Sequence, residues 1–332
     1  MNTAMLDDVS LIALLVAMGL YAAAFIAFAL DLARRSALVA DAATARQPSA
    51  VGATAARGGG TATLEREPAS SGPDAPVAAG RSLSLNVAMV LLVVGFVAHA
   101  VATVLRGLAA SRVPWANMYE FAMTGTLLIL SVYLIVLTRR DLRFLGTFVT
   151  GLILILLGVA VVQYRVEVSP LPPSLQSYWL VIHVFVAALG TGFFALAFAL
   201  SGVQLLQFRR ESLAADAKAA KMRFLATLPD SVTLESMAYR LNIVGFIFWT
   251  FTLMAGAIWA ERAWGRYWGW DTKEVWTFII WVLYAGYIHA RATRGWRGSR
   301  SAWLAVIGFS AVMFNFGVVN VFFKGLHTYS GL

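Results

Sequence analysis

The sequence predicts an all-α, polytopic integral membrane protein with about eight transmembrane helices and an external tryptophan-rich loop. Composition is the first observation: of 332 residues 60% are hydrophobic and only 13% are charged, against about half and about a quarter in soluble domains. The second is length, since several apolar runs exceed the roughly 20 residues that cross a bilayer. The third is charge placement, because arginine clusters recur at alternate turns between those runs.

The spans fall near 10–33, 84–106, 116–138, 144–164, 176–207, 238–262, 274–293 and 301–323. The fifth is longer than a bilayer requires, so it tilts or projects. Arg34 and Arg35, Arg139, Arg140 and Arg143, Arg209 and Arg210, and Arg291, Arg294, Arg297 and Arg300 mark one set of turns. The positive-inside rule assigns that set to the cytoplasm. Both termini and the turns 106–115, 165–175 and 264–273 then face outward. The N-terminus has neither a charged n-region nor a small-residue cleavage site, so the first span reads as retained rather than as a signal peptide.

Residues 36–81 are rich in Ala, Gly, Ser, Thr and Pro with almost no large apolar side chain. Such a segment cannot bury enough surface to offset its ordering entropy and is expected to be a disordered cytoplasmic linker. The chain therefore divides into an N-terminal helix (1–35), loosely attached, that linker, and a seven-helix core (82–332). A second cytoplasmic loop is expected at 209–235, helical over the alanine-rich run AADAKAAKMRFLATL.

Two function classes drop out. The net charge of +9 suits nucleic acid in a soluble protein, but in a membrane protein it follows from inward-facing arginines, so no nucleic-acid partner is expected. With no cysteine the chain performs no thiol exchange and ligates no iron–sulfur cluster. Any thiol in its chemistry belongs to a partner. No phosphate-binding glycine loop, nucleophile elbow or zinc-peptidase histidine pair is present.

What remains is WGRYWGWD, Trp264 to Asp271. Six of the eleven tryptophans lie between Trp259 and Trp281. An interfacial aromatic belt needs one or two rings per helix end, whereas Trp264, Tyr267, Trp268 and Trp270 crowd one short loop. Gly265 and Gly269 allow close approach of backbone or ligand. The pattern suits a large flat ligand, with Trp264, Trp268, Trp270 and Asp271 as its platform. Asp271 precedes a helix with Glu274 three residues on, the spacing of a capping box.

Four histidines are available. His183 lies about two turns into the fifth span and His327 in the outer tail, so both sit at the level of the tryptophan loop. Two neutral imidazoles from different segments can ligate one metal from opposite faces, as in haem proteins. His289 lies about fifteen residues into the seventh span, roughly 22 Å deeper at 1.5 Å per residue, too deep to share that metal. His99, in the outer half of the second span, is expected to be structural. Arg106, Arg112, Arg262, Arg266 and Lys273 could offset an anionic ligand. Arginine grips carboxylates bidentately, and Arg112 and Arg266 are the candidates.

At these residues the chain resembles a known family. WGRYWGWDTKEVW is similar to the WWD signature of haem-handling proteins in cytochrome c maturation, and the whole resembles the CcsA (ResC) family more specifically. RVPWANMYEF (112–121), LQSYWLVIHV (175–184), YIHARATRGW (287–296) and NVFFKGLHTYSG (320–331) resemble that family's outer motif and its three histidine segments. The match runs from about residue 85 to the end, excluding the 209–235 loop. The resemblance implies haem b as ligand, held on the outer face by His183 and His327 against the loop. It implies a subunit of a cytochrome c synthase (haem lyase) acting with a CcsB (ResB)-like partner. Apocytochrome c brings its CxxCH thiols for thioether formation. His289 is implied as a membrane haem ligand whose opposite ligand comes from the partner. The bacterial plasma membrane, or the thylakoid in plastid relatives, is the implied site. A haem exporter or chaperone loader of the CcmC type, without a ligation role, and a non-haem structural subunit are the alternatives.

Overall fold

A computed structural model describes residues 2–45, 82–171, 173–213, 222–293 and 295–327. Eight long helices run through them: α1 Thr3–Ala45, α2 Leu83–Ala110, α3 Met118–Leu137, α4 Gly146–Gln163, α5 Tyr178–Ser212, α6 Ser231–Trp264, α7 Thr272–Ala292 and α8 Ser299–Phe314. Helix α8 continues through a π-helical turn, Asn315–Val319, to Phe322. No strand occurs among the described residues.

Among the described residues seven helices are long and apolar enough to cross a membrane, and α7, the remaining long helix, is less apolar. It has 21 residues, enough to span at 1.5 Å per residue. Lys273 and Glu274 at one end and His289 and Arg291 at the other reduce its apolarity.

Two expectations change. Helix α1 continues to Ala45, so residues 36–45 of the expected linker are helical. Alanine and leucine supply that propensity with no Gly or Pro to stop it. The remainder of the linker, 46–81, lies outside the described residues, as do 214–221 of the cytoplasmic loop. That loop is also shorter than expected, because α5 reaches Ser212 and α6 starts at Ser231. Beyond 221, Arg223–Thr227 is a 3-10 turn.

Nor is α1 loosely attached. Leu14, Ala17, Tyr21, Ala24 and Phe28 are buried in the same core as the other helices. A Cβ at Gly95 would lie 2.8 Å from the Tyr21 ring, so the glycine lets α1 and α2 approach closely, as small residues do between membrane helices. The Tyr21 hydroxyl donates to His99 Nδ1 at 3.3 Å, and His99 Nε2–H donates to the Met123 carbonyl at 3.0 Å. That ties α1, α2 and α3 together and accounts for His99 as a structural residue.

Polar groups lock the same end of the bundle. Arg106, fully buried, pairs with Asp7 on α1 and, at 3.0 Å, with Glu120 on α3, and it donates to the Val166 carbonyl. Glu120 also accepts from Arg112 at 2.6 Å. This end therefore collects the start of α1 and the turns 111–117 and 164–177. It also holds the tryptophan loop 265–271 and the tail 323–327. The arginine-rich turns lie at the opposite end, where Glu235 pairs with Arg291 at 2.6 Å and accepts from Ser301 and the Gly298 amide.

Candidate functional site: a histidine-flanked aromatic pocket

The tryptophan loop is held by its own backbone chemistry. Gly265 ends α6 in the left-handed conformation (φ 69°). The Asp271 side chain caps α7 while the Glu274 carboxylate receives the Asp271 amide at 3.1 Å and the Gly269 amide at 2.8 Å. The capping box expected from the sequence is thus present, and it closes the loop on itself. Trp270 sits at φ 59°, a costly conformation for a bulky residue, and its ring is largely exposed, edge-on to Trp268 at 5.8 Å.

Behind the loop, α3, α5, α6, α7 and α8 enclose an open-sided pocket of about 1270 Å³, its mouth included. Its walls are mostly apolar, and both His183 and His327 line it, with Trp268, Lys273 and Glu274.

The two histidines are oriented alike. His183 donates from Nδ1 to the Thr252 carbonyl at 3.0 Å, since a carbonyl only accepts. Its ring stacks on Trp259 at 5.7 Å and 20°. Gly256 makes room: a Cβ there would lie 2.8 Å from His183 Cε1. His327 donates from Nδ1 to Asp271 Oδ2 at 2.8 Å, and Asp271 Oδ1 accepts the Leu326 amide at 3.0 Å. The His327 ring meets Trp259 and Trp264 edge-on at 5.3 and 4.9 Å. In both residues the tautomer with Nδ1–H carries its lone pair on Nε2, the arrangement of a metal-ligating histidine steered by an oxygen acceptor. Donation from His327 is the main cause that holds the Asp271 carboxyl below its ordinary 3.8.

The structure therefore brings His183, His327 and Trp268 to one pocket, with Trp264 behind His327. It does not bring the others there. Arg112 is bound to Glu120. Arg266 lies along Gly269, 3.5 Å from Glu274, and neither arginine is a pocket wall. Trp270 faces outward from the loop. His289 is exposed in the last turn of α7, on one stripe with Phe278, Val282 and Gly286. Sequence reasoning passed over two residues and part of a third's role. Trp259 is the ring in contact with both histidines, Gly256 gives His183 its space, and Asp271, expected as the cap of α7, also orients His327.

Comparison with known proteins gives the chain a family. The family of cytochrome c assembly proteins matches residues 115–327, which span both histidines and the loop. The CcsA cytochrome c biogenesis protein of Guillardia theta is 35% identical over 245 residues, covering 68% of this chain and 80% of that protein. Its counterpart from Heterosigma akashiwo is 33% identical over 249 residues, covering 66% and 77%. The cytochrome c haem lyase CcmF shares the fold, with a TM-score of 0.60 at 16% identity; all of this chain matches half of that one. The chain belongs to the CcsA family of cytochrome c assembly proteins.

Proposed function

We propose that this protein presents haem b on the outer face of the membrane for covalent attachment to apocytochrome c. The observation that carries this is the donor set of the pocket: two imidazoles, each with Nδ1–H tied to an oxygen, on one apolar cavity beside a tryptophan loop. Such a set fits an iron porphyrin, whose iron two imidazoles can ligate. Bound there, haem would supply two vinyl groups to which the CxxCH thiols of an apocytochrome could add. His183 and His327 would hold the iron. Trp264, Trp268 and Trp270 form the platform and its rim, and Asp271 fixes the tail that carries His327. Catalysis is then largely positioning of vinyls against thiols owned by another protein, which suits a chain without cysteine.

A CcsB-like membrane subunit is the proposed partner. The exposed imidazole of His289 at membrane depth supports a second haem position completed by that subunit, since ionisable groups inside membranes are seldom left to lipid. Arginine density at alternate turns supports the plasma membrane with both termini and the loop outside.

Co-expression with a CcsB-like subunit and a reporter apocytochrome tests the proposal. Covalent haem on the reporter is expected only when both subunits are present and His183 and His327 are intact. Maturation of the reporter by this chain alone would contradict the two-subunit reading. A reporter enzyme fused after Leu332 is expected to be active only outside, and cytoplasmic activity would reverse the placement of the pocket.

A further inference from the structure

Lys273 is placed against the usual rule for helices. It is the second residue of α7, two residues after the cap Asp271, where the positive end of the helix dipole disfavours a cation. Its side chain nevertheless turns into the pocket and lines it beside His183 and His327.

What holds it there is neutral. Nζ donates to the Asn315 carbonyl at 2.7 Å and to Asn320 Oδ1 at 2.6 Å. Asn315 opens the π-helical turn of α8, and one-turn π-helices are frequent at functional sites. Asn320 keeps its oxygen towards Lys273 because its amide donates to Met118 Sδ at 3.2 Å.

The neighbouring carboxylates are engaged elsewhere. Asp271 serves His327 and the Leu326 and Lys273 amides. Glu274 serves the Gly269 and Asp271 amides and Arg266. Among the described residues neither lies within ion-pair distance of the ammonium. A lysine has three donor hydrogens, and two are accounted for. The result is an amino group fixed in direction on the wall of an apolar pocket, which in its ammonium form has one donor left for whatever enters. Burying a charge is costly unless it is paired.

We infer that Lys273 is the anion-binding residue of the pocket and takes a carboxylate of the ligand. Resting on the haem reading above, that carboxylate is a haem propionate, and the contact decides which edge of the ring faces the mouth. Lys273 thereby replaces Arg112 and Arg266, which pair with Glu120 and Glu274 and do not themselves line the pocket. The residue binds ligand and positions it; it takes no part in bond making.

Porphyrin binding without turnover tests this. Quenching of tryptophan fluorescence in the detergent-purified chain is titrated with protoporphyrin IX and with its dimethyl ester, neither of which contains iron. A charge-assisted hydrogen bond is worth enough to shift affinity roughly tenfold or more. Lys273→Met is therefore expected to weaken the dicarboxylate roughly tenfold and leave the ester unchanged, while Lys273→Arg stays near wild type. Equal weakening for acid and ester, or none for either, overturns the inference while leaving the haem reading standing. A wild type that binds neither porphyrin but is red with haem from expression overturns the inference alone. A wild type that binds neither porphyrin nor haem overturns both. Thermal melting of Lys273→Met identifies a folding defect, and in that case Asn320→Ala, which removes one acceptor of the cradle, is expected to show the same acid-specific weakening. Its failure to do so overturns the inference.

Discussion

Asp271→Asn separates two roles that one carboxylate performs. As the cap of α7 it accepts the Lys273 amide at 3.2 Å, and asparagine caps as well as aspartate. As the anchor of the tail it accepts His327 Nδ1 at 2.8 Å and the Leu326 amide at 3.0 Å on different oxygens. An asparagine has one acceptor oxygen, so one of these donors must face its amide hydrogens. Gly325 presses on the group so closely that a Cβ would lie 2.2 Å from Oδ1, which leaves no room to rotate away. Loss of the charged hydrogen bond costs about 1.5–3 kcal/mol. Loss of an acceptor that orients a ligating histidine weakens metal binding about 10–100-fold, or roughly 1.4–2.8 kcal/mol. The two figures agree. Haem titration of the purified variant is therefore expected to show affinity down about 10–100-fold, with a smaller low-spin fraction. Its melting temperature is expected to fall, but by less than that of Asp271→Ala, which also loses the cap. An Asp271→Asn protein that binds haem as tightly as wild type, with the same spectrum, would refute the link between Asp271 and His327.

Other outcomes follow from neighbouring geometry. Gly256→Ala puts a methyl 2.8 Å from His183 and is expected to lower haem affinity about tenfold or more; Gly286→Ala, with open space around it, is expected to do neither harm nor good to binding, and equal titrations for the two would contradict the packing argument. His99→Ala should melt earlier but keep a wild-type haem spectrum, because both ring nitrogens are engaged by Tyr21 and Met123. Arg106→Ala leaves Asp7 without its buried partner and is expected to cost about 3–5 kcal/mol, read as a lower melting temperature; an unchanged melt would mean α1 is held by apolar packing alone. The Asp271 carboxyl titrates below its ordinary 3.8, so the stability its ionised form contributes is present above that value and is lost as pH falls through the depressed one. Protection of the Leu326 amide from hydrogen exchange is therefore expected to hold from about pH 7 to about pH 5, and loss of half the protection in that interval would contradict it.

Much of this was legible in the chain. Hydropathy located all eight helices, and Asp271 with Glu274 announced the capping box because helix caps are local chemistry. The partners that matter most are not local. His327 finds Asp271 across 56 residues, and nothing in either segment specifies that pair. Arg112 was a candidate for gripping an anionic ligand, yet its partner Glu120 lies only eight residues on, at the start of α3. That short spacing was the available signal. The low-complexity linker made α1 look detached, while Tyr21, Asp7 and the glycine at 95 tie it to α2. Trp259 was one of six tryptophans in a row of candidates, and only the helix packing made it the ring between two histidines.

The account stands or falls on the two histidines. The measurement that tests it most directly is the absorption spectrum of the chain purified after haem-replete expression, beside its His183→Ala/His327→Ala double variant. Sharp α and β bands of low-spin haem in the wild type, reduced in the double variant to whatever the His289 position alone retains, are predicted. A colourless wild type, or a double variant whose spectrum and haem content match it, would contradict the claim that the pocket holds haem between His183 and His327.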